Sequence, residues 1–293
     1  MAVHDYIKVK CTSTRPCCHA APADADTLPF GHEATTSEFF MCLITFSWSP
    51  GAEIPLRLAG NRDEFHQRPT APLGRWQHSP SIVGGRDLEA GGTWLAANTQ
   101  GVVAALTNVR DPSLATPANA PSRGELVTCA LQSSNVASWL EELAHTTAAH
   151  YAGFNLLVAT NSRLWHLHRG RHGVTLSRVP PGVHGLSNAT LNTPWPKLRQ
   201  VRNALATSPA DQWHTVTQRA LHNAQLAPDD QLPDTGVGVA LERQLSAAFI
   251  VGEQYGTRAT TWLALHRDGQ VEMTEQRFGP LGRFEGETTL ATA

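Results

Sequence analysis

Residues 1–40 differ from the rest of the chain in their pattern of apolar and polar positions. They mix Pro, Ala, Asp and Thr with no two-residue or three-to-four-residue apolar period, which is typical of disorder. They also lack the basic start and continuous apolar region of a secretory signal. Regular patterning begins at Met41, so we expect a disordered leader or extended start at 1–40 and one folded domain at 41–293.

Alternation of apolar and polar residues predicts strands along most of this domain. Asp268-Gly269 is a strong hairpin signal between the last two of them. We expect strands at 41–48, 54–64, two within 91–108, three within 153–180, and at 245–252, 257–269 and 270–278.

Apolar residues spaced by three and four predict helices between these groups of strands, at 122–132, 135–151, 194–208 and 210–225. Ser122 and Asn135 are candidate N-caps, and Pro196 suits a first helical turn. Groups of strands that alternate with pairs of helices predict an α+β fold, in which helices cover antiparallel sheets.

Charge and cysteine content narrow the function classes. The formal net charge is −2, from 23 basic and 25 acidic residues without runs of either sign, which argues against nucleic-acid binding. No apolar stretch approaches the roughly 20 residues of a membrane helix. Five cysteines are few for 293 residues, and they argue against a disulfide framework. We therefore expect a soluble, cytoplasmic protein.

Polar residues of particular types stand at the ends of the predicted strands. A thiol, an Arg/Asp pair, two Asn and a second Arg are the parts of a cysteine amidohydrolase that uses its own α-amine as general base. An α-amine titrates near 7.7–8.0, so no catalytic histidine is needed. The candidate catalytic residues are Cys42, Arg62, Asp63, Asn108, Asn188 and Arg258.

Each residue has a place in that hypothesis. Arg62 would lower the pKa of the thiol, Asp63 would orient the amine, and an Asn side chain would donate to the oxyanion. The α-amine exists only if Met41 is the working start and is removed, or if the leader is cleaved before Cys42.

Two features have simpler interpretations. A cysteine at the start of an apolar strand is also typical of a packed core residue. His166, His168 and His172 resemble a metal-binding stripe, but at strand spacing we expect them to decorate one exposed face.

Several strings in the domain resemble one known family. NRDE at 61–64 follows MCL by roughly twenty residues. Further matches follow in order: GGTWLA at 91–96, ALTNVRDP at 105–112, SRGELV at 122–127, GLSNATLNTPWPK at 185–197 and YGTR at 255–258. Together they resemble the NRDE family, the family of transport and Golgi organization protein 2, whose members begin where Met41 stands.

The resemblance implies a fold and a set of roles. The NRDE family is similar to the N-terminal-nucleophile (Ntn) hydrolases, which have a four-layer αββα sandwich of two mostly antiparallel sheets. It implies Cys42 as nucleophile, and Arg62 and Asp63 in the Arg/Asp places after the second strand. Asn108 and Asn188 would take the oxyanion and amine-orienting places, and Arg258 that of the late arginine.

Two functions follow as expectations. The first is hydrolysis of a non-peptide amide through a Cys42 thioester, without a metal or other cofactor. The second is a non-catalytic carrier that holds haem or an acyl thioester in the same cleft, because animal members of the family are linked to haem trafficking, lipid metabolism and secretory-pathway organisation. The sequence has no Cys-Pro or C-x-x-C-H haem signature. It does not fix the substrate, the natural start or the oligomeric state.

Overall fold

The strands form two antiparallel sheets. A computed structural model describes residues 41–292, so the predicted leader at 1–40 lies outside the described residues. In chain order the strands are β1 (Met41–Trp48), β2 (Leu56–Phe65), β3 (Thr70–Trp76), β4 (Ser79–Asp87), β5 (Leu95–Asn98), β6 (Val103–Asn108), β7 (Phe154–Ala159), β8 (Leu164–Gly170), β9 (Gly173–Arg178), β10 (Gly182–Leu186), β11 (Tyr255–Leu265), β12 (Val271–Phe278) and β13 (Phe284–Ala291).

The two sheets differ in how the chain runs through them. The seven-stranded sheet is a meander from β3 to β9 in sequence order. The six-stranded sheet has the order β10-β1-β2-β11-β12-β13, so distant parts of the chain meet beside β1 and β2. The α-helices of the described region are α1 (Gly124–Gln132), α2 (Val136–His145), α3 (Pro196–Thr207), α4 (Trp213–Leu221) and α5 (Val239–Gln244).

The elements stack in four layers, in the order helix, sheet, sheet and helix, and an apolar cluster fills each of the three spaces between them. Ile44 and Phe46 of β1 face the seven-stranded sheet, whereas Leu43 faces α3 and α4. Side chains of α1 and α2 cover the outer face of the seven-stranded sheet. The alternation along β1 therefore joins three layers. Burial of each large apolar side chain stabilises the fold by about 1.5–3 kcal/mol. The predicted αββα architecture is confirmed.

The helix boundaries follow their local signals with one exception. Asn135 caps α2, since its side-chain oxygen accepts from Ser138 N at 3.2 Å, and Pro196 is the first residue of α3. The prediction that Ser122 caps the preceding helix is wrong. That helix begins one residue later, at Gly124 after Arg123, and has no side-chain cap.

The predicted strand at 245–252 is also wrong. Residues 245–250 are buried, but their backbone forms no ladder. Side chains and isolated backbone groups satisfy it instead: Asn61 Nδ2 donates to Ala248 O at 2.7 Å, Lys197 Nζ donates to Leu245 O at 2.8 Å, and Phe249 N donates to Asn223 O at 3.0 Å. A short apolar run signals burial but not the partners of its backbone, and here those partners are not a neighbouring strand.

The Gly-Gly pair of GGTWLA lets the segment before β5 approach the start of α1. A Cβ on Gly92 would lie 2.4 Å from the carbonyl carbon of Gly124, closer than any side chain allows. Gly92 and Gly124 both line the cavity described below. Within residues 41–292, no helix is both long and apolar enough to span a bilayer.

Candidate functional site

The register of three neighbouring strands brings the predicted site residues together. Cys42 of β1 lies opposite Arg62 of β2, and Met41 lies opposite Asp63. Directly opposite residues of an antiparallel pair project to the same face, so the Arg62 side chain lies beside the thiol. On the other side of β2, the register with β11 shifts between Thr257 and Ala259, and Arg258 occupies that bulge.

A cavity of about 490 Å³ opens between the two sheets at this point. The wall on the side of the six-stranded sheet includes Cys42, Arg62, Asp63 and Arg258, and β6 of the other sheet contributes Asn108. Five of the six predicted residues therefore line one cavity. Its volume lies in the range of small-molecule sites.

The two asparagines take different positions. Asn188 is fully buried behind the cavity wall, and its Nδ2 donates to Asn108 Oδ1 at 2.7 Å. The Asn108 amide accepts with its oxygen, and Asn108 itself lines the cavity. Ser187 Oγ lies 3.2 Å from Cys42 O and 3.0 Å from Asn188 Oδ1, so it ties β1 to the segment that carries Asn188.

The Cys42 thiol is 8% exposed and has an unusual pKa. Burial raises that pKa to about 12, and the positive charge of Arg62 offsets only part of the increase. While Met41 precedes Cys42, the expected net lowering of the thiol pKa by Arg62 is therefore absent. In this form the thiol holds its proton at neutral pH.

Glu64 limits what Arg62 can do. Arg62 Nη2 lies 3.2 Å from Glu64 Oε2, and both side chains are about nine-tenths buried. Arg62 Nη1 is buried without a hydrogen-bond partner among the described residues. Sequence reasoning missed Glu64 as a site residue, although it is the last letter of the NRDE string.

Asp63 borders the cavity through its backbone, which hydrogen-bonds to the Cys42 thiol, whereas its side chain points to the opposite, helix-facing side of β2. Its Oδ1 accepts from Thr257 Oγ1 at 2.6 Å, whereas its Oδ2 is buried without a partner in the described region. Burial raises the pKa of Asp63 to about 6, against the lowering influence of Lys197. Lys197 was also missed, although it ends the matched string GLSNATLNTPWPK.

Arg258 lines the cavity, but its hydrogen bonds lie in the adjoining turn. Its Nη1 donates to the backbone oxygen of Phe65 at 3.2 Å, and it also donates to Arg68 O. Thr70 Oγ1 lies 3.3 Å from the same nitrogen. Arg258 therefore holds the segment between β2 and β3 against β11, which shapes one wall of the cavity.

Asn61, the first letter of NRDE, has a structural position. Its Nδ2 donates to Leu221 O at 2.8 Å and to Ala248 O at 2.7 Å, and its Oδ1 accepts from Thr260 Oγ1 at 2.8 Å. The side chain is fully buried on the helix-facing side of β2. One amide thus joins β2 to α4, to β11 and to the irregular segment at 245–250.

We expect Asn61→Ala to lower the free energy of unfolding by about 3–4 kcal/mol, because two buried carbonyls and a hydroxyl lose their partner. Urea unfolding followed by circular dichroism measures this change. The control Asn161→Ala removes an exposed amide and should change stability by less than about 0.5 kcal/mol. Equal losses in the two variants would contradict a structural role for Asn61.

The prediction that three histidines decorate one exposed face is wrong for His166 and His168 on β8, whereas His172, in the turn that follows, is exposed. His166 Nε2 and His168 Nδ1 lie 3.0 and 2.8 Å from Asn155 Oδ1, and His166 is only 5% exposed. Burial lowers the pKa of His166 to about 4. Among residues 41–292 no three His, Cys, Asp or Glu side chains are grouped to hold a metal ion.

Comparison with known proteins identifies a family for most of the chain. The family model described as "Transport and Golgi organisation 2" matches residues 41–280. The chain belongs to the transport and Golgi organisation 2 family. This confirms the resemblance drawn from NRDE and the strings that follow it.

Two curated relatives in the transport and Golgi organisation 2 family give the degree of similarity. The chain is 36% identical over 264 residues to transport and Golgi organization protein 2 homolog of Homo sapiens, covering 80% of this chain and 92% of that protein. It is 26% identical over 271 residues to transport and Golgi organization protein 2 of Drosophila melanogaster, with the same coverage.

Two solved structures resemble this member of the transport and Golgi organisation 2 family weakly. A mutant conjugated bile acid hydrolase from Clostridium perfringens is 9% identical with a TM-score of 0.42, covering 85% of this chain and 92% of that chain. A Caenorhabditis elegans N-acylethanolamine-hydrolyzing acid amidase ortholog is 7% identical with a TM-score of 0.39, covering 76% and 92%. At these scores neither adds to the fold described above.

Proposed function

We propose that the protein, once Cys42 is its first residue, hydrolyses the C–N bond of a non-peptide amide. The observation that carries this proposal is the placement of the Cys42 thiol in the wall of the cavity, beside Arg62 and with Asn108 among the residues that line the same cavity. A nucleophile, a cation next to it and an amide donor across from it are what acyl transfer requires.

The first half of the reaction forms a thioester. The free α-amine of Cys42 takes the thiol proton, and the thiolate attacks the carbonyl carbon of the substrate. Asn108 Nδ2 donates to the developing oxyanion, and Arg62 stabilises the negative charge beside it. The α-ammonium then gives its proton to the leaving nitrogen, the C–N bond breaks, and the amine product departs.

The second half restores the enzyme. A water molecule attacks the thioester carbonyl while the α-amine takes its proton. The C–S bond breaks, the carboxylic acid leaves, and the Cys42 thiol regains its proton. The α-amine thus acts as base and acid in turn, and Asn108 serves both oxyanions.

The nature of the walls bears on the substrate. Charged side chains of both signs surround the nucleophile: the arginines are Arg62, Arg68, Arg86, Arg123, Arg258 and Arg277, and the acids are Asp63, Glu64, Asp87, Glu89, Glu275 and Glu285. Many of these charges pair with each other, as Arg68 does with Asp87 at 2.8 Å. Such walls favour an amide that carries polar or charged groups near the scissile bond.

A carrier role is the second candidate, and one observation favours it. While Met41 precedes Cys42, the Cys42 nitrogen is an amide and the pKa of the thiol is about 12, so the cavity can bind without reacting. For haem as cargo, the described residues that line the cavity include no histidine, and Cys42 would be the axial ligand. An acyl thioester as cargo would need only polar contacts from the cavity walls.

A trapping experiment tests the hydrolase. A chain expressed from Met41, with Met removal checked by intact mass, is mixed with a panel of N-acyl amides and quenched in acid within the first turnover. We expect a mass increase equal to the acyl group, mapped to Cys42, and its absence in Cys42→Ser, whose oxygen is the poorer nucleophile. If amides bind but none of them transfers its acyl group to any residue, the carrier role is favoured instead.

A further inference from the structure

Lys197 occupies a position that is unfavourable for a lysine on two counts. It is the single lysine of residues 41–293, only 4% exposed, and the second residue of α3. Burial penalises the ammonium, and a cation at a helix N-terminus opposes the helix dipole. Its Nζ donates to Leu245 O at 2.8 Å, a neutral acceptor that leaves the charge unbalanced.

Arg110 and Glu242 form a complete pair close to Lys197. Arg110 Nη2 lies 2.6 Å from Glu242 Oε2, and Thr235 donates to Glu242 Oε1 at 2.6 Å. Lys197 and Asp63 both border Met41: Asp63 lies opposite Met41 in the strand register, and Lys197 donates to Leu245, which packs against Met41. Burial lowers the pKa of the Lys197 ammonium to about 8, and Asp63 is the largest charge that opposes this lowering.

The other ionisable groups near this cluster do not change that balance. On the cavity side of β2, Arg62 is paired with Glu64, as described above. Burial raises the pKa of the Tyr255 phenol well above its usual value, so it stays neutral. Arg258 lies further along β11 and contacts backbone oxygens.

Met41 fills the space where a new charge would arise. It lies opposite Asp63 in the β1–β2 register, and its side chain is fully buried against Leu245 and Ile250. When Met41 is removed, the α-amine of Cys42 stands at that end of β1, within reach of the unpartnered Asp63 Oδ2. A protonated α-amine would then compete with Lys197 for the single charge of Asp63.

We propose that Lys197 is a positioning residue, whose positive charge at neutral pH balances Asp63 and so leaves the α-amine of Cys42 unprotonated and able to act as base. This inference rests on the proposed function. Asp63 Oδ2 still orients the amine, but it has no spare charge with which to hold a proton there. Without Lys197, the α-ammonium becomes the only counter-ion of Asp63, and the amine keeps its proton to higher pH.

The test measures the amine itself, in a background with no thiol and no turnover. A Cys42→Ala chain expressed from Met41 begins at residue 42, and cyanate carbamoylates its α-amine only when the amine is unprotonated. The rate against pH, followed by peptide mass, gives the midpoint of titration. We expect Lys197→Met to raise this midpoint by about one pH unit or more. In the double variant, Lys197→Met together with Asp63→Asn, the titration midpoint should return to near that of the parent chain.

Three further variants keep the inference testable. Arg199→Met removes an exposed charge from the same helix and should leave the midpoint unchanged. Lys197→Arg keeps the charge and should stay near the parent. If Lys197→Met does not fold, Asp63→Asn alone decides, because an unopposed Lys197 should lower the midpoint. An unchanged midpoint in Lys197→Met or in Asp63→Asn overturns the inference.

The outcome is separate from that of the proposed function. Carbamoylation needs no substrate, so absence of amide hydrolysis by the Cys42 chain would remove the hydrolase while leaving the role of Lys197 measured. Conversely, a chain that hydrolyses amides and shows no shift in Lys197→Met keeps its hydrolase function and loses this account of its base.

Discussion

Iodoacetamide will alkylate Cys42 roughly a hundredfold faster when Cys42 is the first residue than when Met41 precedes it. In the longer form, burial raises the pKa of the thiol to about 12, so only a minute fraction is thiolate at pH 7.5. A neighbouring free amine that accepts the proton lifts that fraction by about four powers of ten. A less basic thiolate is also a weaker nucleophile, and this cancels about half of the gain on a logarithmic scale.

A matched pair of chains isolates the effect. One is expressed from Met41 and loses that methionine because Cys is small. The other begins with an initiating Met followed by Phe40 and Met41, where the bulky Phe40 blocks removal and keeps Cys42 in a peptide bond. Peptide mass spectrometry follows Cys42 alone. Equal alkylation rates would show that the α-amine does not activate the thiol.

The second large effect concerns Asn108. We expect Asn108→Ala to lower kcat by about 10²–10³ with little change in KM, because in the proposed mechanism its Nδ2 donates to the oxyanion. Asn188→Ala should lower kcat less and lower Tm more, since Asn188 is fully buried and supports Asn108 at 2.7 Å. Steady-state kinetics with the best amide of the panel and thermal unfolding separate the two.

The opposite ranking would contradict this division of roles. If Asn188→Ala lost more kcat than Asn108→Ala while its Tm stayed near that of the parent, Asn188 would be the oxyanion donor. The structure would then have to rearrange on substrate binding, because Asn188 lies behind the cavity wall.

Strands with an unbroken apolar or alternating pattern could be predicted from the sequence, and those with breaks could not. The strand β1 and the meander from β5 to β9 follow their apolar pattern. The strand β3 contains Pro72 and Gly74, and its pairing with β4 shifts between Ala71 and Gly74. Bulges of this kind interrupt the two-residue period, so the pattern of β3 does not resemble a strand.

The composition of the site could be predicted better than its electrostatics. Motif strings pointed to Cys42, which opens a strand, and to Asn108, which ends one. They gave no sign that Lys197 or Glu242 is buried, since charged residues are normally solvated. The packing of α3 against β1 and β10, beside β2, places Lys197 close to Asp63.

The balance of effects on the Cys42 thiol also lay beyond the sequence. Arg62 stands opposite Cys42, as a cation that lowers the pKa of a thiol should. Its influence is opposed by burial and by Asp63 and Glu64, two acids whose positions relative to the sulfur depend on the pleat of β2.

The rate of amide hydrolysis in the two matched forms of the chain tests the central claim most directly. With one amide that forms the Cys42 thioester, we predict turnover by the chain that begins at Cys42 and none above background by the chain that retains Met41, although both bind the substrate. Cys42→Ala should bind and not turn over. Equal turnover by the two forms would contradict the claim that the α-amine of Cys42 is the base.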